Sequence, residues 1–241
     1  MFYQTQRAFR SGATQMDVME GGRAAVELIA REMQEMTTLG ATGGVCFIAL
    51  EDQSYALQQL LPSGALSFRR IQDVKFVVRD NDDWKVIAYH VTSLDKAMTP
   101  TNVFVLSRFV ASTNALDAVP GLLAAIGTTF VYPEADPMNT QFRRVIDGVV
   151  QFEVVPYSPA GVDTKAYTSP QWNDLAYPNT AALGNYFPVA FDLHLAVLET
   201  KALDRFKTKL GVNVSTARNY LANQAASVHL FQQRIPIRTT P

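Results

Sequence analysis

The chain has 241 residues, with 48% apolar and 18% charged side chains, a mix that supports a packed globular body and excludes a disordered one. Its formal net charge is −1, so bulk attraction to nucleic acid or to an acidic membrane surface is not indicated. The single Cys46 lies in the apolar run VCFIAL, excludes an internal disulfide and reads as a small buried hydrophobe.

The first element in chain order is a long helix from Phe2 to about Thr38. Val26, Ile29, Met33 and Met36 follow a three, four, three spacing, and Phe2, Phe9 and Met16 recur every seven residues. Each set therefore lies along one side of a 3.6-residue helix. Arg7, Arg10, Asp17, Glu20, Arg23, Glu27, Arg31, Glu32 and Glu35 form a hydrophilic side suited to water. Gly21 and Gly22 each cost roughly 1 kcal/mol relative to alanine inside a helix, so a bend or a loose turn is expected there. The second half, with the denser apolar stripe, is expected to pack on the body, while the half from Phe2 to Met16 protrudes or meets another molecule.

Gly40, Gly43 and Gly44 end the helix, and strand-like runs follow: 45–50, 65–71 and 74–80. The clearest hairpin joins VKFVVR to WKVIAYHV through Asp80, Asn81, Asp82 and Asp83, whose side chains suit a tight turn. This tetrad carries acid enough to raise the question of calcium, but lacks the glycine and distal glutamate of an EF-hand loop. A strand at 102–110 is followed by an irregular piece with a short helical stretch interrupted by Pro120 and Gly121, then TTFVY at 128–132 as a strand. Residues 142–157 read as one long strand bulged near Asp147 and Gly148.

Residues 158–187 form the longest irregular stretch, with Tyr167, Trp172, Tyr177, Tyr186 and Phe187 set among prolines and glycines. These rings serve either as the loop's own small core or as a contact for protein or glycan, with Tyr167, Trp172 and Tyr177 as the candidate contacts. Val189, Phe191, Leu193, Leu195 and Val197 alternate against Ala190, Asp192, His194 and Ala196, the strongest period-two signal in the chain. Two short helices, near 199–210 and 215–227, precede a last strand at 228–237 in which Pro236 favours an edge or a strand end.

Chemistry-bearing patterns are few. His90, His194 and His229 each fall in a predicted strand with no second ligand at zinc spacing. No nucleophile elbow, glycine-rich phosphate loop or H-E-x-x-H occurs, so no catalytic, cofactor or metal residue is assigned and the chain reads as a non-enzyme. Asn213, Val214 and Ser215 make a glycosylation sequon, relevant only in a eukaryotic secretory setting.

Two ends of the chain and its strand-rich middle carry a resemblance. FYQTQRAFRSGATQMDVMEGGRAAVELIAREMQEMT resembles the part of a type IV pilin-like helix that follows the membrane segment. FRRVIDGVVQFEVVPYSP is similar to the late strand region of J-type minor pseudopilins of type II secretion, and VHLFQQRIPIR to the ends of such prepilin-type proteins. The resemblance implies an α+β fold with a long N-terminal helix packed on antiparallel β-sheets and short C-terminal helices before a final strand. It divides the chain into a helix over 1–38 and a globular part over 39–241. It also implies a structural role at the tip of a periplasmic filament, with other minor pseudopilins and the major pseudopilin as partners and no cofactor. Phe2, Phe9 and Met16 would then pack against neighbouring helices. The basic leader, cleavage site and apolar segment of such precursors do not occur in the sequence, which reads as the part beyond an inner-membrane anchor, soluble by itself. The competing expectation is a periplasmic or secreted binding module that uses the aromatic loop.

Overall fold

The computed structural model describes residues 2–37, 47–51, 57–60, 66–69, 71–93, 103–119, 143–157, 175–177, 188–211 and 213–237. Helix α1 (Phe2–Gln34) comes first, then strands β1 (Phe47–Glu51), β2 (Leu57–Leu60), β3 (Leu66–Arg69), β4 (Gln72–Asp80), β5 (Asp83–Ser93), β6 (Phe104–Thr113), β7 (Arg143–Tyr157), β8 (Leu175–Tyr177) and β9 (Ala190–Leu198). Helices α2 (Thr200–Leu210) and α3 (Val214–Ala222) lead to the last strand, β10 (Val228–Pro236). Eight strands form one sheet in the order β10-β9-β7-β6-β5-β4-β1-β8, and β2 and β3 pair as a separate hairpin.

The expected fold is corrected here. The molecule is mostly a single antiparallel sheet, not a long helix that organises the sheets packed against it. Helix is the minor component, and among the described side chains of α1 the first to reach the core is Val18. The physical reason is that the sheet supplies its own second layer by curling. Arg143–Val149 of β7 pairs with β6, and Val149–Tyr157 pairs with β9. The ladder is irregular on both sides of Gly148, whose φ of 77° is a left-handed conformation that glycine adopts without a Cβ penalty.

The curl brings distant strands together. Five strand steps separate β9 from β1, roughly 24 Å in a flat sheet. Yet the rings of Phe47 and Phe191 lie 4.7 Å apart, Ile71 bridges to Phe152, and Gln72 Oε1 accepts the Val154 N–H at 2.7 Å. Val26, Ile29, Met33 and Met36 fill the concave side among Phe76, Tyr89, Phe104, Phe152 and Phe191. On the opposite side, α2 and α3 cover Val150, Ala196 and Leu198 with Ala202, Leu203, Phe206, Ala217 and Leu221. This second core is why Ala196, on the weaker side of the β9 alternation, is fully buried, while Val189 at its start is exposed.

The turn between β4 and β5 is tighter than the predicted tetrad: Asp80 pairs with Asp83, and Asn81 takes a φ of 55° in the left-handed region that Asn tolerates. Asp80 is engaged by Lys85 and by Asn81 Nδ2, so the side chains close the hairpin. The bend expected at Gly21 and Gly22 is also corrected, because α1 runs through both. A Cβ on Gly22 would lie 2.2 Å from the Phe231 ring, so the missing side chain lets helix backbone sit directly on β10. Cys46, the strand expected at 128–132 and most of the aromatic loop lie outside the described residues.

Candidate functional site

The exposed side of α1 is the first candidate. Gln15, Met16 and Asp17 are exposed, Val18 is the first buried side chain described, and a Cβ on Gly12 would meet nothing within 4 Å. Met16 is 63% and Met19 40% exposed, large apolar side chains with no cover among the described residues. Methionine suits such a surface because its flexible thioether adapts to irregular partners. The side chains of Phe2 and Phe9 lie outside the described residues, so of the predicted stripe only Met16 is placed. Tyr167 and Trp172 lie outside them too; Tyr177 belongs to β8, where it pairs with Phe47.

Beside Met16 opens a cleft of about 320 Å³ between α1, β7, the end of β9 and α2. Val18, Ile146, Val197 and Leu203 line it together with Asp17, Arg144, Asp147, Asp204 and Lys207. Arg144 grips Asp147 with two guanidinium nitrogens, so part of this charge is already compensated. Its described lining includes no histidine, cysteine or serine; its polar groups are the charged side chains and Thr200.

A charged cluster that sequence reasoning missed lies under the helix. Glu32, placed by its charge on the hydrophilic side, is only 7% exposed and accepts hydrogen bonds from three directions. Tyr89 donates its hydroxyl at 2.5 Å, and Arg108 donates from Nε at 3.0 Å and Nη2 at 2.5 Å. The bond to Glu32 raises the Arg108 pKa, while burial, and then Glu32, pushes the Tyr89 hydroxyl well above its ordinary value. Both donors therefore keep their protons, and the cluster fastens α1 to β5 and β6 as a fixed ion pair. A buried tyrosine and arginine facing the same side of adjacent strands were the available signal, since Tyr89 and Arg108 are cross-strand partners.

Each histidine faces a carboxylate: His90 Nδ1 is 2.7 Å from Asp73, His194 3.9 Å from Glu153 and His229 3.6 Å from Glu199. No group of three metal-ligating side chains occurs among the described residues. Nor, among those residues, is any helix long and apolar enough to cross a membrane.

Comparison with known proteins adds no family: no protein-family model matches the chain, and no curated protein or solved structure matches it.

Proposed function

We propose that this chain is a structural subunit that assembles through helix and surface contacts, as its resemblance to J-type minor pseudopilins of type II secretion implies. The observation that carries the reading is the exposed side of α1, where Met16, just before the buried Val18, and Met19, just after it, stand uncovered. An uncovered apolar stripe on a helix is the form in which one subunit packs on the next. The cleft beside Met16 extends that surface onto β7 and α2. The partners are other minor pseudopilins and the major pseudopilin, the place of assembly is the periplasm, and the work is done by shape rather than by catalysis.

The test is co-purification with a co-expressed set of minor pseudopilins. Replacing Phe2, Phe9 and Met16 together by Ser should abolish partner capture while the circular dichroism spectrum and the cooperative thermal transition of the body are retained. Capture that survives the triple replacement overturns the reading.

A further inference from the structure

The two edges of the sheet are built differently. One is β8, three residues long, and such shortness is a usual protection against pairing with other chains. The other is β10, nine residues in unbroken register with β9. It contains no lysine and no bulge, and its only proline is the last residue.

The direction of its backbone groups follows from the ends of the ladder. Ile237 N donates to Val189 O, and Glu199 N donates to Ser227 O, so the odd-numbered residues of β10 bond to β9. The N–H and C=O groups of Val228, Leu230, Gln232 and Arg234 therefore point away from the sheet. Among the described residues nothing pairs with them.

We infer that two copies of this chain join through β10, antiparallel and edge to edge, so that their sheets become one. The strand matches itself in a register centred on Gln232. There Gln232 opposes its own copy, Leu230 opposes Arg234, and Val228 opposes Pro236. All four outward N–H groups then find a carbonyl, and Pro236, which has no N–H, falls at the end of the ladder where its lack costs least. The Gln232 carboxamide, donor and acceptor at once, can pair with its twin. Leu230, 51% exposed in one copy, gains cover from the aliphatic stem of the opposing Arg234. The contact is isologous and closes at two copies. It uses a different surface from the α1 stripe and does not rest on the filament reading.

Sedimentation equilibrium tests it: the mass should approach twice the 26.6 kDa of one chain as concentration rises. Gln232→Pro removes the central outward N–H but none of the bonds to β9, and should weaken association at least about tenfold with an unchanged circular dichroism spectrum. In a Cys46→Ser background, Gln232→Cys should form an interchain disulfide on mild oxidation, because paired residues in this register sit ~5.5 Å apart at Cα. Leu230→Cys should not link to itself, being offset from its twin. A chain that stays monomeric overturns the inference, even where β10 accepts some other extended peptide. So does a dimer that tolerates Gln232→Pro or links equally through Leu230→Cys. Should Gln232→Pro fail to fold, the cysteine pair decides.

Discussion

Gly22 illustrates how one missing side chain can mean opposite things. If it only loosened the helix, alanine would stabilise the chain by roughly 1 kcal/mol. Because a Cβ there would strike the Phe231 ring at 2.2 Å, Gly22→Ala should instead destabilise by about 1–2 kcal/mol, overpacking outweighing propensity. Gly21→Ala, whose Cβ would meet Ile146 Cδ1 at an ordinary 3.7 Å, should stabilise by up to about 1 kcal/mol. Urea melts of the two variants give the signs, and a Phe231→Leu background should recover much of the Gly22→Ala loss. The same scale holds Glu32. Glu32→Gln leaves the partly exposed Arg108 guanidinium without its anion and should cost about 2–3 kcal/mol in the same melts. Replacing Glu32, Arg108 and Tyr89 together by Met, Leu and Phe should cost less than that single change.

At the scale of elements, β9 and β10 carry a pH-sensitive bond on their outer face. Arg234 donates to Asp192 from Nε at 2.8 Å and Nη2 at 3.1 Å. Partial burial works to raise the Asp192 pKa, but hydrogen bonds from Arg234 and Tyr157 outweigh it, so the carboxyl titrates below its ordinary 3.8. A depressed folded pKa gives stability that is complete above the unfolded value and lost as pH falls through the folded one. Acid melts should therefore show a drop below about pH 3.8 that Arg234→Gln flattens.

These elements also show where sequence reasoning reached and where it stopped. The alternation of β9, the glycine bulge in β7 and the Asp80 to Asp83 turn are local patterns, and each is found where its residues indicated. Glu32 was misplaced because its partners are 57 and 76 residues away, and charge alone argues for water. The glycine pair was misread for a like reason, since Phe231 lies at the far end of the chain. Of the candidate stripe only Met16 is placed, and the cleft beside it joins four elements that no single segment reveals.

For the whole molecule, the expected long helix packed on antiparallel sheets gives way to a single sheet that curls into its own second layer, with α1 filling the hollow from Val18 onward. That correction came from pairings between strands far apart in sequence, which periodicity within a strand cannot encode. Among the described residues, the exposed side of α1 at Met16 and Met19 and the outer edge of β10 share no residue, so the two proposed associations can be tested separately.

The shared strand β7 also bears on how this chain reaches its native state. It must join β6, which precedes it, through one half and β9, which follows it, through the other, and Gly148 sets the angle between them. Without β7 the β6 side and the β9 side of the sheet share no strand. Pairing across such sequence distances slows folding, and stopped-flow refolding of β7 variants reads the strand's part in it: slower folding places β7 in the rate-limiting step, faster unfolding alone places it after.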